Sequence, residues 1–247
     1  MSMNHRLKTA IAMTLAAGMV SAPVANADKK EAVELDETRL IIEFNETDQD
    51  VGIQFFIDAD GWQSLRIFDP AGKEIFDART KGRLLDQGGV AELFVESEEP
   101  TLEDLPLDAF LERFPEGTYT FAGRAVDGAK LTGEAEFSHG IPAGPEITLP
   151  VVSGEECATN VGIPVTVMWN DVTATIDGDP IDIEAYEVIV EGDDLEMIDV
   201  VMPADAGTAL TVPGEALEPG TEYDLEVLAI AENGNQTITE TCFVTAE

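Results

Sequence analysis

Oxygen-bearing side chains at alternating positions are the most specific chemical signal in this chain. Asn45, Asp48 and Asp50 fall in the polar stretch Asn45-Glu46-Thr47-Asp48-Gln49-Asp50-Val51-Gly52, and Asp58 and Asp60 fall in a second candidate turn, Asp58-Ala59-Asp60-Gly61. Such ligands beside a glycine suit a hard cation, and calcium is the ion expected, although the spacing and terminal Glu of an EF-hand are absent. The two groups sit at opposite ends of adjacent antiparallel strands, so they need not meet. Glu96 with Glu98 and Glu99 is a second acidic candidate. The competing reading is a pair of solvated acidic turns.

Other chemistries lack their parts. Beyond the N-terminal region the only His is His139, beside Gly140, and no Gly-x-Ser-x-Gly elbow occurs, which argues against nucleophilic triads. Zinc ligands other than carboxylates are nearly missing, and phosphate-cradling or dinucleotide glycine motifs are absent. Paired carboxylates for glycoside hydrolysis carry little information in a chain with 50 Asp and Glu, and aromatic platforms for sugars are scarce at 6%. The chain is therefore expected not to be an enzyme.

Charge narrows the partners. From Leu131 to Glu247 there is no Lys or Arg, against 25 Asp and Glu. Nucleic acid and anionic membranes need a basic footprint, so neither is expected. Arg6 and Lys8, the apolar run Ile11–Val20 and Ala25-Asn26-Ala27 read as a cleavable signal over residues 1–27. Its removal leaves 11 basic against 50 acidic groups, a balance of −39. Self-repulsion on that scale calls for screening cations, either from a saline medium or as bound calcium. With 44% hydrophobic residues in strand-like runs, disorder is not expected. No second apolar run follows the signal, so no membrane insertion is expected after cleavage. Export also makes a Cys157–Cys242 disulfide the default, closing a loop whose constraint contributes about 4 kcal/mol.

The elements expected to carry these residues are short strands. Thr38–Phe44, Gly52–Ile57, Trp62–Phe68, 73–78 and Ala91–Ser97 alternate or run apolar, with Asp69-Pro70-Ala71-Gly72 closing a hairpin. Leu107, Phe110, Leu111 and Phe114 keep helical spacing between Pro106 and Pro115, predicting one helix near 106–113. Thr118–Val126 and Ala129–Ser138 form a hairpin around Asp127-Gly128. Ile141-Pro142-Ala143-Gly144-Pro145 reads as a linker, and six further strands follow between residues 163 and 245. Of the two Trp residues, Trp62 is expected to be the more exposed; the Phe55, Phe56 and Trp62 neighbourhood is the first place to look for an apolar patch.

Leu217-Glu218-Pro219-Gly220-Thr221-Glu222-Tyr223 and the later Asn233-Gly234 turn, with Trp169 and Tyr186 in earlier strands, resemble the fibronectin type III module over about 146–247. The resemblance implies core roles for Trp169, Tyr186 and Tyr223. Cys157 and Cys242 would then staple the first strand to the last, which is not part of the general family pattern. Pro115-Glu116-Gly117-Thr118-Tyr119 repeats the turn-then-Tyr device in the first half, giving Tyr119 the same role. Stretches around Phe55–Phe76 and Leu93–Gly117 resemble exported proteobacterial proteins of unassigned role.

The expectation is all-β: a signal over 1–27, a flexible leader over 28–37, an immunoglobulin-like sandwich with an inserted helix over 38–140, a linker over 141–146 and a fibronectin type III-like sandwich over 147–247. The expected role is a binding or adhesion-type protein, periplasmic or extracellular, with a protein or polysaccharide partner and calcium as a stabiliser. The alternatives are a carboxylate-dependent polysaccharide hydrolase, an accessory carbohydrate-binding protein, or a passive spacer of envelope components.

Overall fold

The computed structural model describes residues 31–151, 157–192 and 195–247; the signal expected over 1–27 lies outside them. In the first half β1 (Val33–Glu34), β2 (Glu37–Asn45), β3 (Asp50–Phe68), β4 (Glu74–Arg79), α1 (Arg83–Gln87), β5 (Val90–Glu96), α2 (Leu107–Arg113), β6 (Gly117–Ala125) and β7 (Lys130–Phe137) follow in order. The alternation that predicts the strands also sets their faces. Leu40, Ile42 and Phe44 of β2 point into a core with Ile53, Phe55 and Ile57 of β3, so Ile41, Glu43 and Asn45 lie on the opposite face, where Glu43 is nonetheless buried. Helix α2 starts after Pro106 and packs Phe110 into this core, while the short helix α1 is an addition to the expected elements.

Three expectations are corrected here. Asp58-Ala59-Asp60-Gly61 is not a turn but part of the 19-residue strand β3. Ile57, Ala59 and Trp62 are all buried, and this burial overrides the turn composition. At this point β3 exchanges partners through bulges: its first part pairs with β2 and β5, its last part with β6 and β4. Gly61 is there for close approach, since a Cβ on it would lie 1.8 Å from the Gly88 carbonyl oxygen. Trp62 is core rather than surface, at 2% exposure. The leader is held from Val33 onward, because β1 pairs with β7 and Leu35 fills the same core.

The second half contains β8 (Ile147–Leu149), β9 (Ala158–Val161), β10 (Val165–Trp169), β11 (Ile183–Gly192), β12 (Leu195–Pro203), β13 (Ala209–Val212), β14 (Glu222–Ala231) and β15 (Gln236–Thr245). A three-stranded sheet, β13-β10-β8, faces β15-β14-β11-β12. Between them lies a second core that includes Val167, Trp169, Tyr186, Val188, Leu225 and Phe243. This is a two-sheet immunoglobulin-like sandwich of the kind fibronectin type III modules share. Cys157 lies immediately before β9 and is bonded to Cys242 on β15.

The two halves share a sheet. β15 pairs in parallel with β2 through Gln236–Glu43, Thr237–Phe44 and Ile238–Asn45, which makes one path from β5 and β3 through β2, β15, β14 and β11 to β12. Side chains lock this junction. Asn235, 1% exposed, accepts the Ile42 N–H at 2.8 Å and donates to the Ser138 and Gly140 carbonyls at 2.9 and 3.0 Å. The Thr237 hydroxyl donates to the Pro142 carbonyl at 2.6 Å. The segment expected as a linker is thus packed on both sides: Ile141 belongs to the first core and Ala143 rests against the second.

Candidate functional site

The turn between β2 and β3 carries Asn45, Asp48 and Asp50. The Asn45 side-chain oxygen accepts the Thr47 and Asp48 N–H groups at 2.9 and 3.0 Å, and its amide donates to Glu240 on β15. Asn45 is therefore occupied as a turn former and a link between the halves. Burial, and then the charge of Asp48, raise Asp50 above the usual carboxyl range. Asp58 and Asp60 are not neighbours of this turn. Asp50 pairs with Asn45 at one end of the β2–β3 ladder and Asp58 with Glu37 at the other, about 26 Å away at roughly 3.3 Å per residue. The five residues do not form one site.

A different set converges. Carboxyl oxygens of Glu43, Glu96 and Glu99 lie within 4.8 Å of one another. Glu43 comes from β2, Glu96 ends β5, and Glu99 follows in the loop. Gly52, opposite Glu43 on β3, makes the space: a Cβ there would lie 2.6 Å from the Glu99 carboxyl. The Gln236 amide donates to Glu43, and the Gln54 amide reaches Glu96 at 3.4 Å. Burial raises the Glu43 pKa most, with Gln236 opposing and Glu96 adding to the rise. Glu99 is pushed up to about 7 by burial first, then by Glu43, Glu96 and Asp50. Three carboxyls so placed can retain protons or bind a hard cation. Glu96 and Glu99 belong to the secondary acidic candidate in the sequence. Glu43 was hidden inside an apolar strand, and only its odd place in the alternation sets it on the face opposite the core, where it is buried.

The same face continues into the second half. Register puts Glu240 of β15, Glu226 of β14, Glu187 of β11 and Asp199 of β12 on the face that carries Glu43. Burial pushes Glu226 up to about 7, with Glu240 the largest charge adding to it. Glu187 is also pushed up to about 7, by burial and then by its hydrogen bond with Asp199. At the first-half end, Phe55 is core, Phe94 is exposed, and the Arg39 guanidinium lies 4.8 Å from the Phe56 ring centre. The shallow hollow there, lined by Arg39, Ile41, Gln54, Phe55, Phe56 and Phe94, excludes the three converging carboxyls.

The remaining singled-out residues hold the framework. Tyr223 accepts the Glu218 N–H at 2.8 Å, Tyr119 donates to the Pro115 carbonyl at 3.1 Å, and Tyr186 accepts the Val172 N–H at 2.8 Å. Trp169 packs on Tyr186 with ring centres 5.3 Å apart. His139 pairs its Nε2 with the Phe114 carbonyl at 2.7 Å and meets the Phe137 ring edge-on. No helix among the described residues is long and apolar enough to cross a membrane.

No family model and no curated protein matches the chain. Among solved structures it is similar to the FN1-FN3 domains of chicken CNTN1, at 12% identity and TM-score 0.34, covering 88% of this chain and 69% of that one. It is also similar to a tetra-tandem repeat from the extending region of a large adhesion protein, at 12% identity and TM-score 0.29, covering 85% and 49%. A third is a 1.5-MDa bacterial ice-binding adhesin, at 15% identity and TM-score 0.27, covering 88% and 65%.

Proposed function

We propose that this is an exported, non-catalytic binding protein of the cell envelope or extracellular space, and that calcium steadies it at the junction of its halves. The observation that carries the reading is the single sheet face spanning both halves, with Glu43, Glu96 and Glu99 converging where they join. A cation there replaces carboxyl repulsion with attraction at the strand that couples the two sandwiches. The calcium assignment thereby moves from the Asn45, Asp48, Asp50, Asp58 and Asp60 set to these three glutamates. The disulfide supports export, since such bonds persist in oxidising compartments. A protein or polysaccharide surface is the partner class proposed. Affinity capture from envelope extract, with and without calcium, tests the role: a component retained more strongly with calcium is expected, and no retained component contradicts it.

The same cluster gives a specific reason to keep the hydrolase as a second reading. Glu99, raised to about 7 beside two other carboxyls, has the protonation that a general acid needs for cleaving a glycosidic bond, although oxygens within 4.8 Å of one another are closer than the roughly 5–5.5 Å of a retaining pair. Polysaccharide hydrolysis that is lost in Glu99→Gln would establish it in place of binding.

A further inference from the structure

Strand β12 is one end of the long sheet and pairs only with β11 among the described residues. Alternate backbone N–H and C=O groups of such a strand face away from the sheet without ladder partners. Its outward side chains are Met197, Asp199 and Val201, with Met197 56% and Val201 59% exposed. Proteins commonly guard an edge of this length with Lys, a proline within the strand or a bulge. Here the proline, Pro203, stands only at the far end, the register shift in the pairing with β11 falls at the other end between Val190 and Gly192, and among the described residues of the exposed face the one charged side chain is Asp199.

We propose that β12 is a docking edge for an extended, basic segment of a partner protein. The segment adds as a further strand, setting a Lys or Arg against Asp199 between apolar side chains that cover Met197 and Val201. The inference rests on the binding role above and names its surface. Charge selects the occupant. The groups acting on Glu187, beside Asp199, are Asp199 itself, Glu43 and Glu226, all acidic. No Lys or Arg occurs anywhere from Leu131 to Glu247 to answer them. A second copy is disfavoured, because antiparallel self-pairing centred on Asp199 stacks one Asp199 on the other. A basic strand gains backbone hydrogen bonds, covers both apolar side chains and supplies the missing cation in one register.

The test uses two blocked nonapeptides with threonine on one face and, on the other, Val-Lys-Val or Val-Glu-Val, titrated into the full chain. Binding of the lysine peptide is expected, with amide exchange slowed across 197–202. Asp199→Lys is expected to weaken it by about tenfold or more and to favour the glutamate peptide instead. Far-UV circular dichroism and the melting midpoint establish that the variant is folded, and Val201→Lys is a second variant expected to weaken the lysine peptide. No binding, lysine-peptide affinity unchanged in Asp199→Lys, protection elsewhere on the sheet, or dimerisation through β12 each overturns the assignment. Repeating the envelope capture with Asp199→Lys separates the two claims: capture that persists unchanged leaves the binding role standing and removes β12 from it.

Discussion

The halves of this protein solve the same packing problem with different charge chemistry. Each closes a sandwich corner with a tyrosine hydroxyl, Tyr119 on Pro115 and Tyr223 on Glu218. The first half pairs some of its acids: Arg39 with Glu37 at 2.7 Å, Arg66 with Glu74 at 3.5 Å and Arg79 with Asp77 at 3.0 Å. These pairs are exposed, and each contributes little to stability. The second half has no basic side chain to pair with, and it carries the disulfide instead. Where ion pairing is unavailable, covalent constraint and close packing hold the fold.

The strongest way to break this comparison is to empty one core. Trp169→Ala is expected to cost about 3–5 kcal/mol in denaturant unfolding. If the shared sheet couples the halves, it also lowers the midpoint reported by first-half probes. A first-half midpoint that stays put shows that the halves unfold separately. Next in size is the disulfide. Cys157→Ser with Cys242→Ser is expected to cost about 2–5 kcal/mol, largely through the freed unfolded chain. Asn235→Ala removes the hydrogen bonds that this second-half side chain makes to Ile42 and Ser138 of the first half and is expected to cost about 1–3 kcal/mol. Splitting of one unfolding transition into two would show that this residue couples the halves.

The smallest expected effect is that of pH, because the carboxyls that carry it are only partly buried and solvent screens them. Glu99, Glu187 and Glu226 are each raised to about 7 from an ordinary value of 4.5. Between those two values the folded chain holds more protons than the unfolded one, so the stability these groups contribute is complete below pH 4.5. It falls as pH rises through about 7. Melting midpoints measured between pH 5 and 8 without divalent cations should therefore decline. A rise over the same range contradicts the assigned protonation.

Much of this architecture is readable from alternation and turn residues. Trp62–Phe68 returns through Asp69-Pro70-Ala71-Gly72, where the Asp69 carboxylate accepts the Ala71 and Lys73 N–H groups. The Pro-Gly-Thr-x-Tyr run likewise places Tyr223 at its corner. What fails is local composition overruled from a distance. Asp58-Ala59-Asp60-Gly61 has turn chemistry, but Ala59 is buried and Gly61 meets the Gly88 backbone, contacts made by residues remote in sequence. The candidate site shows the same limit. Asn45 and Asp58 look like ligands by spacing, yet they lie at opposite ends of one ladder. Glu43 is drawn to Glu96 and Glu99 by pairings that no local pattern encodes.

The central claim is tested most directly by thermal unfolding at fixed ionic strength, with calcium, with magnesium and with chelator. The chain is compared with a variant carrying Glu43→Gln, Glu96→Gln and Glu99→Gln. Calcium is expected to raise the midpoint of the unaltered chain and to leave that of the variant unmoved. Equal midpoints with calcium and with chelator in the unaltered chain would contradict a cation at the junction.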